Sequence, residues 1–250
     1  MFRAFFHFHG NLNDFLPSKR QKIRFEHTVK EQGSIKDAIE ALGVPHPEID
    51  LILVNGCSVD FSYLLQAGDR VSVYPKAAAQ PANAISKVRP LELSSYAFVL
   101  DVHLGKLARY LRFLGFDTLY RNDYDDAELA QISHEQQRVL LTQDLGLLKR
   151  SLVIYGYRVR SPQPKTQVKE ILERFDLYAA IAPFYRCSRC NGRLLPVEKT
   201  AILPLVPHFT ALHYQDFFQC QSCQQVYWQG AHYQKMQQLI AELSGLRAIT

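Results

Sequence analysis

The chain has 250 residues, 47% hydrophobic and 21% charged, a composition that is typical of globular domains and argues against disorder over most of its length. No apolar run reaches the roughly 18 residues that a membrane-spanning helix needs, and the N-terminal MFRAFFHFHG is too short and too rich in histidine for a signal peptide. We therefore expect a cytoplasmic protein with no membrane partner. Residues 81–250 carry the positive excess behind the net charge of +5, which modestly favours a nucleic-acid partner.

The first third of the chain alternates strand and helix patterns. The predicted elements are strands over Phe2–Phe8 and Gln21–Phe25, a helix over Ser34–Leu42, and strands over Leu51–Val54 and Arg70–Tyr74. Ser34 is a good N-cap and Gly43 ends the helix. Asn55-Gly56 predicts a tight hairpin turn after the third strand.

Two strands, a helix and two further strands are the order of a β-grasp fold. The segments ILVNG and LQAGDRVSVYP resemble the ubiquitin-like sulfur-carrier proteins ThiS and MoaD. Those carriers are activated at a free C-terminal Gly-Gly, whereas this chain continues through Lys76–Gln80. We therefore interpret residues 1–78 as a ubiquitin-like module that binds an unidentified protein partner, or as a purely structural appendage.

Residues 79–95 are small, polar and interrupted by two prolines, which predicts a linker. After it, strands and helices alternate, which predicts a compact parallel α/β domain over residues 96–180. The predicted elements are strands over Tyr96–Leu100, Asp117–Tyr120 and Arg138–Thr142, and helices over Leu104–Leu114, Leu145–Arg150 and Gln167–Phe175, with another helix opening at Asp125.

Acidic residues follow two apolar runs of this domain. Asp101 follows the first run, Asp144 follows Val139–Leu141, and Asp123, Asp125, Asp126 and Glu128 open a helix between them. Because the carboxyl ends of neighbouring parallel strands meet at one edge of a sheet, these carboxylates could share a hard cation, Mg²⁺ or Mn²⁺. An alternative remains open, since Asp125 with Glu128 resembles a capping box and Asp144 could cap the next helix.

The helix over residues 104–114 has an apolar arc and an opposite basic face. Lys106, Arg109 and Arg112 lie on the basic face together with Phe113. We expect this face to contact substrate phosphates, although a solvated basic surface would have the same pattern. The chain has no glycine-rich phosphate loop, which disfavours an NTPase or a dinucleotide enzyme.

Four of the five cysteines form two C-x₂-C pairs, Cys187 with Cys190 and Cys220 with Cys223, separated by 29 residues. Paired knuckles supply the four thiolates of a closed structural Zn²⁺ site, so we predict a zinc ribbon with a C-terminal helix over residues 181–250. Two redox-active dithiols are the alternative. Near the cysteines lie Arg189 and Arg193, and Tyr227 and Trp228, a combination that suits single-stranded RNA, although Trp228 could instead belong to the core.

Three segments, DVHLGKLARYLRFLGFD, DYDDAEL and LLTQD, resemble the Mut-seven C-terminal RNase family, a PIN-like nuclease group with a zinc ribbon that is often fused to a ubiquitin-like domain. The resemblance implies a three-layer PIN-like parallel α/β domain. It further implies that Asp101, Asp126 and Asp144 bind the metal, with Asp125 and Glu128 as accessory acids. The basic residues of the motif are Lys106, Arg109 and Arg112.

The leading hypothesis is a metal-dependent nuclease, an endoribonuclease that hydrolyses RNA, including structured or tRNA-like RNA. In it, the carboxylates hold Mg²⁺ or Mn²⁺, and the basic helix and the ribbon hold RNA. The alternative is a non-catalytic RNA-binding adaptor whose acids are helix caps and whose ubiquitin-like domain recruits a partner. A sulfur-transfer accessory is weakened by the missing terminal Gly-Gly.

Overall fold

The structure is a computed structural model that describes residues 1–76, 78–81, 84–88, 90 and 92–245. The predicted linker over residues 79–95 and the end of the predicted ribbon domain fall partly outside these residues. Tertiary contacts divide the chain into two compact units. The first unit is formed by Met1–Ser95 with Tyr124–Arg158, and the second by Tyr96–Asp123 with Val159–Thr250.

The helices and strands follow one another in a mixed order along the chain. In the N-terminal third they are β1 (Phe2–Phe8), β2 (Phe25–Val29), α1 (Ile35–Ala41), β3 (Leu51–Val54), β4 (Cys57–Ser58) and β5 (Arg70–Tyr74). In the middle they are β6 (Phe98–Leu100), α2 (Gly105–Phe113), β7 (Thr118–Leu119), α3 (Asp126–Glu135), β8 (Val139–Thr142), α4 (Leu145–Leu148), β9 (Gly156–Arg158) and α5 (Pro164–Phe175). The C-terminal elements are β10 (Leu194–Val197), α6 (Lys199–Ile202), α7 (His208–His213), β11 (Phe217–Cys220), β12 (Val226–Trp228) and α8 (Ala231–Gly245).

The first unit contains the predicted β-grasp sheet, in the order β2-β1-β5-β3-β4. Its two central strands, β1 and β5, are parallel, and the other neighbours are antiparallel. Alternate residues of β1, Phe6 and Phe8 among them, are buried in one core with Ile35 and Ile39 of α1. Buried residues recur at every second position of the strand and four positions apart on the helix, so each element has one apolar face toward the core.

Local signals placed the helix and the hairpin of this sheet correctly. The backbone N–H of Asp37 donates to Ser34 Oγ at 3.1 Å, so Ser34 caps α1 as predicted. Asn55 and Gly56 have φ values of 52° and 88°, the left-handed conformation of a two-residue hairpin turn between β3 and β4.

The prediction of a strand over Gln21–Phe25 is wrong, because β2 begins only at Phe25. A short 3₁₀ turn over Ser18–Arg20 precedes it, and Lys22 has a φ of 59°, which an extended strand does not tolerate. Phe25 then pairs with Phe6 in the antiparallel ladder. The strand is therefore shifted toward the C-terminus by four residues.

The rest of the first unit consists of α3, β8, α4 and β9, and β8 and β9 are parallel. β9 has three residues and lies next to the β-grasp part of the unit. The buried carboxylate of Glu48 accepts a hydrogen bond of 2.8 Å from the Arg158 backbone N–H, and Lys149 Nζ donates to the Glu40 carbonyl at 2.6 Å. The ubiquitin-like module is thus attached to β9 and to the C-cap residue of α4 by partly buried hydrogen bonds.

The second unit contains the parallel pair β6 and β7, the helices α2 and α5, and an antiparallel sheet in the order β10-β11-β12. Helix α2 buries Leu107, Ala108 and Leu111, the apolar arc predicted from its sequence, and packs against α5. Phe98 of β6 lies edge-on to Phe175 of α5, with ring centroids 5.9 Å apart. None of the described helices of the chain has the length and apolar character to cross a membrane.

Arg112 does not lie on the exposed basic face of α2, so that prediction is wrong. Its side chain is buried, with 4% of its surface exposed. The guanidinium donates to three backbone carbonyls, those of Thr118 at 2.8 Å, Arg189 at 2.9 Å and Tyr120 at 3.4 Å. Arg112 therefore joins α2 to β7 and to the first cysteine pair, because a planar guanidinium can satisfy several carbonyls at once.

We expect Arg112→Leu to lower the free energy of unfolding by about 2–4 kcal/mol, because buried carbonyls would lose a charged donor. Arg109→Leu, an exposed position on the same helix, is the matched control and should change it by no more than about 0.5 kcal/mol. Urea unfolding followed by circular dichroism measures both. Equal effects of the two substitutions would contradict a structural role for Arg112.

Candidate functional site

The four paired cysteines converge in the second unit. Their sulfur atoms all lie within 4.8 Å of one another, with Cys187 and Cys223 at 3.6 Å and Cys190 and Cys220 at 3.4 Å. Tetrahedral Zn²⁺ with Zn–S bonds of about 2.3 Å requires sulfur atoms about 3.8 Å apart. The donor type and the spacing therefore fit a closed structural zinc site, as predicted from the sequence.

Each cysteine pair lies in a tight backbone turn. Asn191 and Gln224, the residues that follow the second cysteine of each pair, have φ values of 71° and 59°. The backbone N–H groups of Ser222 and Cys223 point at Cys220 Sγ, at 3.4 and 3.5 Å. Such N–H groups stabilise a thiolate, the form that binds a metal.

The pKa values of the thiols agree with this arrangement. Burial raises the pKa of Cys190 to about 12. Burial also acts to raise the pKa of Cys220, but the N–H groups of Cys223 and Ser222 and the thiol of Cys190 outweigh it and lower the value to about 7. The Cys220 thiol thus ionises near neutral pH, and a bound cation would supply the positive charge that the thiolates of Cys190 and Cys223 need.

The first cysteine pair is hydrogen-bonded to β7 and to the turn before it. Asn191 Oδ1 accepts from the Thr118 backbone N–H at 3.0 Å, and its Nδ2 donates to Asp117 at 2.8 Å. Arg186 forms an ion pair with the same carboxylate at 3.0 Å. Together with Arg112, these contacts hold the cysteine pair against α2 and β7.

The predicted metal-binding acids belong to different units: Asp101 to the second, and Asp126 and Asp144 to the first. Asp101 is buried at the end of β6, and its Oδ1 accepts from the His103 backbone N–H at 2.8 Å. Asp144 caps α4 by accepting from the Gly146 N–H at 2.6 Å. Asp144 therefore has the capping role that the sequence left open, and Asp101 caps the short 3₁₀ turn over Val102–Leu104, a role that the sequence analysis did not consider.

The acids at the start of α3 differ from one another. Asp125 is the N-cap, and its Oδ1 accepts from the Glu128 backbone N–H at 2.8 Å, as the capping box predicted. Asp126 is the first residue of the helix and lies 3.8 Å from the guanidinium of Arg150, with half of its side chain exposed. Asp123 is exposed and forms an ion pair with Arg121 at 2.6 Å. Helix capping thus explains why an acid is found at Asp125, but it does not explain the acid at Asp126.

Three of the five predicted nucleic-acid contacts line one pocket of about 530 Å³ in the second unit. We call it the basic pocket. The residues that line it are Lys106, Arg109, Tyr110, Phe113, Ser188, Arg189, Gln225 and Tyr227. Arg193 is exposed elsewhere and lies 4.5 Å from the ring centre of Tyr185, and Arg112 is buried.

Three lining residues, Tyr110, Ser188 and Gln225, were not among the residues to which the sequence pointed. Tyr110 follows Lys106 by four positions, the spacing of neighbours on a helix face, so the sequence did contain a signal for it. Tyr227 is held by its hydroxyl, 3.0 Å from Cys187 Sγ and 3.2 Å from Ser188 Oγ. Burial and the contact with Cys187 raise the pKa of Tyr227, so the hydroxyl stays protonated at neutral pH.

Two other aromatic residues of the ribbon, Trp228 and Tyr233, form packing contacts. Trp228 packs against a small core of Phe217 and Val226, with Ile202 of α6 in the same cluster, which supports its interpretation as a core residue. Tyr233 stacks on Phe184 with ring centroids 4.6 Å apart. These rings stabilise the ribbon and line no part of the basic pocket.

Comparison with known families agrees with this arrangement. Residues 96–240 match the Mut7-C RNAse domain, and residues 1–81 match the Mut7-C ubiquitin domain. No curated protein and no solved structure shows a significant match. The predicted fold class is confirmed, with a β-grasp ubiquitin-like domain, a PIN-like α/β domain and a zinc-ribbon cysteine cluster. The chain belongs to the Mut7-C RNAse domain family and carries a Mut7-C ubiquitin domain ahead of the RNAse domain.

Proposed function

We propose that this protein is a metal-dependent ribonuclease that cleaves phosphodiester bonds within RNA, including structured or tRNA-like RNA. The observation that carries the proposal is the match of residues 96–240 to the Mut7-C RNAse domain. The basic pocket supports RNA as the ligand. Two C-x₂-C pairs that converge as a possible metal site are more typical of a reducing compartment than a disulfide framework is, which supports a cytoplasmic location.

The proposal assigns a hard divalent ion, Mg²⁺ or Mn²⁺, to the carboxylates of Asp101, Asp126 and Asp144, with Asp125 and Glu128 as accessory acids. Oxygen donors of this type suit such ions, and Asp101 is a buried carboxylate at the end of a strand. The bound ion would supply an activated water and neutralise charge on the leaving oxygen. The acids of this chain would orient that chemistry, and Lys106, Arg109 and Arg189 would hold the RNA.

The proposed functional division has four parts. They are a ubiquitin-like domain over residues 1–78, a linker over 79–95, a nuclease domain over 96–180, and a zinc ribbon with the C-terminal helix over 181–250. In this division, Zn²⁺ is structural and the ubiquitin-like domain binds a protein partner. The contacts of Glu48 with β9 and of Glu40 with Lys149 support a fixed attachment of that domain to the segment that carries Asp126 and Asp144.

A second function is favoured by the helix caps. Asp101, Asp125 and Asp144 all accept hydrogen bonds from backbone N–H groups at the starts of helices. The presence of aspartate at these positions therefore has a structural explanation that needs no metal. The protein would then be a non-catalytic RNA-binding adaptor. This alternative predicts RNA binding that needs no added Mg²⁺ or Mn²⁺ and no cleavage of any RNA.

The test is cleavage of a labelled structured RNA and a labelled single-stranded RNA by the zinc-loaded protein, with Mn²⁺ or Mg²⁺ titrated in. We expect internal cleavage that rises with the added ion and saturates. A chelator is not used, because it would also remove Zn²⁺ from the thiols. Cleavage that is independent of added ion, or RNA binding without cleavage, would overturn the proposal, and the latter would support the adaptor.

A further inference from the structure

The basic pocket combines flat aromatic surfaces with positive charge. Lys106, Arg109 and Tyr110 come from one face of α2, while Arg189 and Tyr227 come from the cysteine-bearing ribbon. Its volume of about 530 Å³ lies in the range of about 300–1,000 Å³ that is usual for sites of small ligands. The pocket can therefore hold a group the size of one nucleotide, and not only a passing backbone.

The residues that line the basic pocket include three cations and no acid. The ammonium of Lys106 and the guanidinium groups of Arg109 and Arg189 are exposed, and within the described ranges of the chain none of the three is seen in an ion pair. Three cations that line one cavity without an acid repel one another. A bound anion would relieve this repulsion, so the pocket selects an anionic ligand.

Parts of the pocket wall are held in place by contacts with neighbouring residues. The Tyr227 hydroxyl is fixed between Cys187 and Ser188, and the Arg189 backbone carbonyl accepts from the buried Arg112 guanidinium at 2.9 Å. The Phe113 ring lies against Tyr233, with centroids 6.3 Å apart. A preorganised aromatic wall loses little conformational entropy when a planar ligand stacks on it.

We propose that the basic pocket receives one unpaired nucleotide of a single-stranded RNA segment. Its base stacks on the aromatic rings, and its phosphate is held by Lys106, Arg109 and Arg189. Any base can stack, because every base has a π-face. The pocket therefore distinguishes unpaired from paired nucleotides and does not distinguish one base from another. The inference rests on the proposed function only for its ligand class, RNA, and it does not require cleavage.

The test is binding of a 5′-fluorescein 12-nucleotide oligouridylate to the full zinc-loaded chain, followed by fluorescence anisotropy without Mg²⁺ or Mn²⁺. Tyr110→Ala should weaken binding about 5-fold or more, the usual effect of losing one stacking ring. Arg109→Gln should reduce the slope of log K against log salt by about 0.7, the value for one phosphate contact on a single strand. Phe209→Ala and Lys165→Gln, an exposed ring and an exposed cation of the same unit outside the pocket, are the matched controls and should leave binding within twofold.

Two further measurements distinguish the contribution of the base to binding from that of the phosphate. The outcomes also distinguish the pocket proposal from the nuclease proposal. A perfect RNA duplex, whose bases are not available, should bind equally well to the wild type and to Tyr110→Ala. Inorganic polyphosphate should compete less well than oligouridylate at equal charge. Oligouridylate binding that is unaffected by Tyr110→Ala and Arg109→Gln would overturn the pocket even if Mn²⁺-dependent cleavage is found, whereas sensitive binding without cleavage would leave the pocket in place and remove the nuclease.

Discussion

Asp101→Asn is expected to reduce Mn²⁺-dependent RNA cleavage at least about 100-fold. Substitution of a residue that only supports a metal ligand already lowers metal affinity or activity about 10- to 100-fold, and loss of a ligand should cost more. Asparagine caps helices about as well as aspartate, so the hydrogen bond from the His103 N–H can persist. We therefore expect the free energy of unfolding to change by no more than about 1 kcal/mol. The substitution thus removes the charge and keeps the cap, which separates the two roles of this residue.

Asp144→Asn follows the same logic, since an asparagine side chain can also accept the hydrogen bond that the Gly146 N–H donates to Asp144. The matched control is Asp123→Asn, which removes an exposed carboxylate of the acidic segment whose partner is Arg121. It should cleave RNA within twofold of the wild type. Wild-type rates for Asp101→Asn and Asp144→Asn would show that these acids are caps and nothing more. Initial rates under single-turnover conditions, with circular dichroism on each variant, provide the comparison.

Cys220→Ser is expected to unfold the ribbon formed by β10, β11 and β12. The hydrophobic cluster there is small, with Ile202, Val206, Phe217 and Val226 as its buried members. Binding of structural Zn²⁺ contributes about 10–16 kcal/mol, which is as large as the whole stability of many domains. The loss of one thiolate ligand should therefore remove more folding free energy than the packing of this small core supplies.

Zinc content and hydrogen exchange measure this effect. We expect Cys220→Ser to contain less than one zinc per chain and to lose exchange protection over Phe217–Trp228. Cys57→Ser, an exposed cysteine on β4, is the control and should keep both. A fully protected ribbon in Cys220→Ser would mean that the sheet is stable without the metal. RNA binding should fall together with the protection, because Arg189 and Tyr227 of the basic pocket lie beside the cysteines.

Elements with a local chemical cause were predictable from the sequence. The cap at Ser34, the cap at Asp125 and the Asn55-Gly56 turn each depend on residues within three positions, and all are found as predicted. The clustering of the four paired cysteines was predictable for a similar reason. A C-x₂-C spacing places two thiolates on one turn, and two such pairs complete a tetrahedron wherever the chain brings them together.

Features that depend on distant residues were not predictable. Arg112 lies outside the apolar arc of α2, yet Thr118 and the Arg189 carbonyl, 77 positions away, bury it. The basic pocket likewise needs α2 and the ribbon together, and no pattern within either segment points to the other. β9 has only three residues and no alternation that would identify it, since its burial is supplied by its neighbours.

Binding of Mn²⁺ to the zinc-loaded protein, measured by electron paramagnetic resonance, tests the central claim most directly. We predict saturable binding to the wild type that is lost in the variant carrying Asp101→Asn, Asp126→Asn and Asp144→Asn, while its zinc content and its circular dichroism spectrum stay unchanged. Equal Mn²⁺ binding by the folded triple variant and the wild type would contradict the assignment of the ion to these carboxylates.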